Sequence, residues 1–414
     1  MRLTTLLSYA RVCLLFLTAC NLGMAGGLYL IEVSTSETAL AGAGWAARAQ
    51  DPTTVVTNPA GMTELEGRQF QTTLQPLYLA TEFDDDGSEY GDGRSADADG
   101  WTPTGSAFYT HQINDKWTAG VGLAGYFGLS LDYDDDWAGR YYVQEVTLQT
   151  IGLQPTVAYK INDQWSVGVG FAVLYGKYEL EAATNPLGDG STDGRLKFED
   201  DDFSYQANIG VLYKLSERTR FGLQYFSESD QDFSDTPSFR NISPPINEID
   251  INMTLPQSII LSGFHQLTDR LAIMGNVGWQ EWSKFGEIGV KTTVGGSTTF
   301  NREYEDTWNV AGGVQYQLNE QWRLSTGLAY DTEMVKEENM TPDLPTGDSI
   351  RWGVGTAYQY SQAIELQFAY EIVYYGDLDL NQEGGGGDFN QGDISGTYPD
   401  NAIHFFSVGL NWKF

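Results

Sequence analysis

Trp165-Ser166-Val167-Gly168-Val169-Gly170-Phe171-Ala172-Val173 places a large apolar side chain at every odd position and a small or polar one at every even position. A period of two sends successive side chains to opposite faces of a β-strand. One face suits apolar surroundings and the other suits a crowded or polar interior. The alternation recurs at 271–279, 322–330, 350–358 and 364–370. A soluble sandwich also contains such strands but joins them by turns of mixed length. Here the connections alternate between tight and long.

Working outward from that stretch gives fourteen strands, at about 68–83, 102–113, 117–129, 144–161, 165–178, 203–215, 220–227, 251–266, 270–286, 304–318, 322–330, 350–360, 363–375 and 402–414. Short turns such as Asn114-Asp115-Lys116, Asn162-Asp163-Gln164 and Asn319-Glu320-Gln321 lie on one side, and long loops on the other. An even antiparallel barrel with both termini on the short-turn side is the bacterial outer-membrane arrangement. The fold class is therefore all-β: a 14-stranded transmembrane barrel of the cell outer membrane of a Gram-negative bacterium. Trp117, Trp165 and Trp322 each follow a tight turn, where aromatic rings form a girdle at the lipid headgroups. The chain ends Phe406-Ser407-Val408-Gly409-Leu410-Asn411-Trp412-Lys413-Phe414, with every even position apolar. A terminal Phe on such a strand makes the outer-membrane barrel assembly machinery an expected partner.

Composition agrees. The longest apolar run, Val12 to Ala19, is far short of the ~20 residues of a spanning helix. At 41% hydrophobic and 13% aromatic the chain is too rich in packing residues for disorder. A formal net charge of −33 excludes nucleic acid as a partner, since phosphate recognition needs basic patches. The seven long loops hold 39 of the 56 acidic side chains and 8 of the 23 basic ones, so the membrane-embedded part is close to neutral. The runs Asp84-Asp85-Asp86, Asp134-Asp135-Asp136 and Glu199-Asp200-Asp201-Asp202 offer oxygen ligands for Ca²⁺ without the spacing of an EF-hand loop. The plainer reading is a solvated surface facing salt water and lipopolysaccharide. On that reading there is no cofactor and no metal.

Three segments divide the chain. Residues 1–25 form a signal peptide, with Arg2 and Arg11 ahead of the apolar core and Gly23-Met24-Ala25 at the cleavage site. A rival reading is lipidation at Cys20 in Leu17-Thr18-Ala19-Cys20. Residues 26–67 do not alternate. Ser36 to Ala49 is rich in small residues and forms a short helix capped at Ser34 or Ser36, and Asn58-Pro59 reads as an N-cap followed by Pro at the first helical position. A segment this short must pack somewhere, and Gly120, Gly122, Gly168, Gly170, Gly353 and Gly355 on inward positions leave room for a partly helical hatch in the lumen. A periplasmic extension is the alternative. Residues 68–414 are the barrel.

Glu32-x-Ser34, Ala41-Gly42-Ala43-Gly44-Trp45-Ala46-Ala47, Asp51 and Asn58-Pro59-Ala60-Gly61-Met62 resemble the hatch of the FadL/TodX family of outer-membrane hydrocarbon transporters. Trp137-Ala138-Gly139-Arg140-Tyr141 looks like a second shared segment. The resemblance implies a monomeric barrel closed by an N-terminal hatch, and an inward kink in the third strand that opens a lateral hole. It also implies passive transport of hydrophobic small molecules, long-chain fatty acids or hydrocarbons, captured in an outer groove and released sideways into the bilayer. Groove candidates are Tyr126, Phe127, Leu129, Leu131, Trp137, Arg140 and Tyr141, with Arg140 either anchoring a ligand carboxylate or pairing with Asp134–Asp136. The glycines Gly120, Gly122, Gly125 and Gly128 mark the third strand as the place for the kink, because glycine tolerates bulges. A second reading is that they only make space for the hatch. Other function classes are a general diffusion porin and an adhesin using the acidic loops. Catalysis is not expected, because His111 and His265 sit just before tight turns on the periplasmic side and His404 at the other end of its strand, so they cannot converge with one Ser and one Asp.

Overall fold

The computed structural model describes residues 29–90, 94–185, 190, 193–241, 248–292, 296–384 and 391–414. The signal segment 1–25, and with it Cys20, lies outside them. Fourteen strands carry the architecture: β1 Arg68–Leu74, β2 Gly105–Gln112, β3 Trp117–Asp132, β4 Glu145–Lys160, β5 Trp165–Thr184, β6 Gly194–Ser216, β7 Thr219–Phe226, β8 Ser258–Gln266, β9 Leu271–Gln280, β10 Thr307–Gln317, β11 Trp322–Asp331, β12 Ser349–Gln359, β13 Ile364–Gln382 and β14 Ile394–Lys413. Each pairs antiparallel with its neighbours in this order. The first then closes on the last, with Gln69 opposite Lys413 and Leu74 opposite Val408. Closure leaves no long free edge, and in lipid an unpaired strand edge would be prohibitive.

Alternation sets which face meets lipid. Along β5, Trp165, Val167, Val169 and Phe171 are exposed, while Ser166, Gly168, Gly170 and Ala172 between them are not. The tight turns share one chemistry. The Oδ1 atoms of Asn114, Asn162 and Asn319 each accept hydrogen bonds from the backbone N–H groups two and three residues on, at 2.9–3.0 Å. An Asn side chain can close a turn this way because it mimics a backbone carbonyl. The third residue on is the tryptophan, and each ring meets a tyrosine across the hairpin or on the adjoining strand: Trp117–Tyr159 at 4.6 Å, Trp165–Tyr213 at 4.5 Å and Trp322–Tyr358 at 4.7 Å.

Strand bounds depart from the sequence reading where chain leaves the wall. The first strand stops at Leu74 and resumes as Leu77–Ala80, with Pro76 in the break. The run expected at 251–266 splits at Pro256. Its first part, Ile249–Leu255, joins Ser229–Asp235, Glu287–Thr292 and Gly296–Asn301 in a separate four-stranded sheet. β9 ends at Gln280, and Trp282–Phe285 forms one helical turn rather than strand. β6, β13 and β14 run further outward than their apolar pattern, because hairpin pairing continues where the side chains are already polar.

Residues 29–64 fill the lumen. α1, Thr35–Leu40, is capped by Ser34, whose Oγ accepts from the Glu37 N–H at 3.4 Å. α2, Thr54–Thr57, is followed by a 3₁₀ turn over Pro59–Glu64. Inward polar side chains of the wall satisfy the hatch backbone, which has few partners of its own. Gly44 N–H donates to Asn276 Oδ1 (2.9 Å), Ala46 N–H to Ser262 Oγ (2.9 Å) and Asn208 Nδ2 to the Val56 carbonyl (2.7 Å). At the hatch centre Arg48 is gripped by Glu37 (2.5 Å) and Asp51 (2.7 Å), all three fully buried.

Candidate functional site

The pairing of β2 with β3 ends while β3 runs on well beyond it. β2 pairs with β3 only as far as Ala107 opposite Leu123. Above that level β3 keeps its pairing with β4 alone, and the register slips between Gly125 and Phe127. The alternation fails at the same point: Tyr126, Phe127, Gly128 and Leu129 are all buried in succession. A strand with four consecutive buried residues has left the wall and turned into the lumen. The gap this opens beside β2 is lined by Leu30, Glu32, Val33, Ser106, Gly125 and Ile151. The start of the hatch borders it. Leu30 N–H donates to the Tyr126 carbonyl (3.1 Å), and Tyr29 bridges Phe127 in antiparallel fashion.

Of the four kink glycines, only Gly125 sits at the slip. Gly128 lies within the inward-turned run and still pairs with Gln149. Gly120 and Gly122 are corrected: both pair regularly on each side, opposite Thr110 and Phe108 of β2. Their role is clearance, since a Cβ at Gly120 would meet Val55 and Met62 of the hatch, and one at Gly122 would meet Phe108 and Val55.

Below the inward-turned run lies a pocket lined by Tyr29, Ile31, Trp45, Ile260, Trp282 and Met334 among apolar groups, and by Asn276, Asn309, Asp331 and Arg351 among polar ones. Phe127 stands edge-on to both Tyr29 (5.5 Å) and Trp282 (6.2 Å) at its rim. Apolar walls with a few polar groups are the usual make-up of a small-molecule site, but the cavity is about 80 Å³ where such sites usually have ~300 Å³ or more, so a long-chain cargo fits only if the hatch or the Trp282 turn gives way. Trp282 and Arg351 are the residues that groove reasoning missed. Arg351 sits between outward-facing Ile350 and Trp352 in the alternation, which places it inward, but nothing local names its partners. Those are Glu32 of the hatch and Asp331 of β11, the latter at 2.7 Å.

The groove candidates divide. Tyr126, Phe127, Leu129 and Leu131 line the inward course of β3, all buried. Trp137 stacks on Tyr133 (4.1 Å), meets Phe83 edge-on (5.5 Å) and donates its Nε1–H to the Val143 carbonyl, so it is the core of the outer loops. Arg140 pairs with a loop acid, and the correction is to which one. Its Nε pairs with Asp193 at 2.9 Å, not with Asp134–Asp136, and its Nη1 donates to the Tyr90 and Trp137 carbonyls. Its charge is committed to holding the loop. Tyr141 beside it donates to the same Asp193; burial first, then that carboxylate, push its hydroxyl up to about 12. The acidic runs serve the loops' own backbone: Asp200 and Asp202 accept from the N–H groups of Ser234 and Asp232, and Asp136 pairs with Arg94. Among the described residues the one cluster of three carboxylates with ligand atoms within 4.8 Å is Glu82, Asp97 and Asp99, all exposed.

The hatch motif meets the wall where the wall has no side chains. Asn58 Oδ1 caps the 3₁₀ turn by accepting from Ala60 N–H (3.0 Å), and its Nδ2 reaches the carbonyls of Ala46 (2.6 Å) and Val211 (3.1 Å). Pro59 and Ala60 press on Gly168, and Asn58 on Gly210, so closely that a Cβ at either glycine would collide. Met62 and Ala60 are fully buried, and a Cβ on Gly61 would press on Thr54.

A closed 14-stranded barrel with a lumenal hatch and a breach in its third strand defines a hatch-closed outer-membrane transport barrel. The chain belongs to the outer membrane protein transport protein (OMPP1/FadL/TodX) family, whose profile matches residues 16–414. It is 29% identical over 397 residues to outer membrane protein P1 of Haemophilus influenzae, covering 84% of this chain and 86% of that one. It is 25% identical over 391 residues to the long-chain fatty acid transport protein of Escherichia coli, covering 84% and 87%. A crystal structure of a Pseudomonas aeruginosa FadL homologue superposes with a TM-score of 0.85 at 20% identity, over 94% of this chain and all of that one. The protein resides in the Gram-negative outer membrane, and its family is made of transport channels.

Proposed function

We propose that the protein carries long-chain apolar molecules, fatty acids or hydrocarbons, passively across the outer membrane. Cargo enters by the aromatic course of β3, rests in the pocket beneath Phe127 and leaves sideways through the gap between β2 and β3. The observation carrying this reading is the end of β2–β3 pairing at Leu123 together with the four buried residues that follow. A water-insoluble molecule gains roughly 25 cal/mol for each Å² of apolar surface it buries, which drives capture from the saccharide layer. Lateral release then returns it to lipid without crossing water. On this reading the barrel acts as a monomer and catalyses nothing. Phe414 is the tag for the assembly machinery, and the acidic loops face lipopolysaccharide.

The test compares uptake of labelled oleate, alkane and toluene by cells with and without the protein. At least one cargo enters faster with it, and the double change Gly125→Val, Gly128→Val removes that gain while the barrel still assembles. Equal uptake with and without the protein overturns the reading.

A further inference from the structure

Among the described residues that line the pocket, one is a cation. Arg351 Nε lies 2.7 Å from Asp331 Oδ2, and its Nη1 donates to Glu32 Oε1, so a single guanidinium already faces two carboxylates. Glu371, one strand over on β13, is fully buried, and neither of its oxygens receives a hydrogen bond. Even with Glu371 protonated this group carries a net negative charge. A ligand carboxylate arriving here would find its only counter-ion taken and would add a third or fourth anion in a site shielded from water, where like charges repel strongly.

The rest of the route repeats the arrangement. At the mouth, Arg140 is committed to Asp193, and Arg302 to Asp343 at 2.7 Å. The loops around them hold 39 acidic and 8 basic residues, a field that repels anions on approach. At the exit, Glu32 itself lines the gap between β2 and β3. Uncharged groups fare differently. Asn276 and Asn309 are tied to Gly44, to each other and to Asp331, and Gln280 accepts the Trp282 indole N–H, which leaves the Gln280 amide N–H groups to meet a hydroxyl or an aromatic ring without charge.

We propose that this transporter selects uncharged hydrophobic molecules, such as hydrocarbons and alcohols, and turns away carboxylate anions of the same length. The inference rests on the pocket and route of the proposed function and narrows their substrate class.

The test uses the full-length protein in phosphatidylcholine nanodiscs at about pH 9.5, where a carboxyl is ionised even when a lipid surface raises its pKa by several units. The probes are a bromine-tipped dodecanol and the matching bromine-tipped dodecanoate. Bromine quenches nearby indoles, and subtracting the signal of a Trp282→Phe variant isolates the pocket. Half-saturation of the Trp282 signal is expected at a concentration roughly ten-fold or more lower for the alcohol than for the acid. Asp331→Asn releases part of Arg351 and is expected to close that gap by several fold. An acid that binds as tightly as the alcohol overturns the selection while leaving the pocket intact. Failure of both probes to quench Trp282 overturns the pocket, and the selection with it.

Discussion

The backbone N–H of Leu30 donates to the carbonyl of Tyr126 at 3.1 Å, joining the start of the hatch to the strand that leaves the barrel wall. Tyr126 lies beyond the last β2–β3 pair, so its carbonyl on that side has lost its strand neighbour. Against lipid such a group is costly unless something else satisfies it. The hatch supplies the donor, so the breach and the plug are one structural unit.

Removing the plug therefore opens the protein. Deletion of residues 28–62 is expected to raise single-channel conductance sharply in planar bilayers. Leu30→Pro, which removes that N–H together with the buried leucine side chain but leaves the rest of the hatch in place, is expected to give a smaller and flickering increase. A deletion that conducts like the full chain would falsify the placement of the hatch as the seal.

Arg48 holds the hatch together between Glu37 and Asp51, with all three side chains buried. Arg48→Met strands two carboxylates in the interior, and breaking a buried ion cluster costs about 3–5 kcal/mol. The expected result is a barrel that still assembles but whose hatch is cut by protease at concentrations that leave the parent untouched. Equal resistance would mean that the cluster does not hold the hatch.

Glycines of the wall divide by whether the hatch touches them. A Cβ at Gly327 would fall on the Leu40 carbonyl oxygen, whereas one at Gly312 meets nothing within 4 Å. Gly327→Ala is expected to lower thermal stability by about 1–3 kcal/mol through overpacking, with Gly312→Ala near neutral. Matching melting curves for the two variants would show that the hatch yields freely at Leu40.

Asp343, in the loop over the pocket, titrates low. Burial pushes its carboxyl up, but Arg302 at 2.7 Å outweighs this and holds it below the ordinary carboxylate range. A folded-state pKa below the unfolded value, near ~3.9, stabilises the fold above that value. The contribution is lost as pH falls through the folded pKa. Acid titration below about pH 4 should thus loosen this loop. Asp343→Asn should remove that part of the pH dependence and lower stability at neutral pH. Tryptophan fluorescence followed from neutral to acid pH, with identical profiles for parent and variant, would refute the assignment.

How much of this was legible in the sequence depends on the range of the interaction. The period of two from Trp165 to Val173, the Asn-turn-Trp repeat and the alternation up to Phe414 are local, and they fixed fourteen strands and the side facing lipid. Asn58-Pro59 announced its own turn, because capping is chemistry between near neighbours. The outward extensions of β6, β13 and β14 were missed because backbone pairing, unlike side-chain pattern, leaves no mark in the residues.

Only the folded chain decides who partners whom. Arg140 could be seen to need a carboxylate, yet the one it finds is Asp193, 53 positions on, rather than the aspartates beside it. Gly120 and Gly125 look alike in sequence, but one clears space for Val55 and Met62 while the other marks the register slip. Arg351 meets Glu32 across 319 residues, and that meeting sets the charge of the pocket. Strand, turn and membrane face come from contacts a few residues apart, so the sequence by itself determined them. Closure of β1 on β14 brings distant inward side chains around one hatch, so the site's charge, the residue at which the third strand slips and the contacts that seal it were decided by tertiary structure alone.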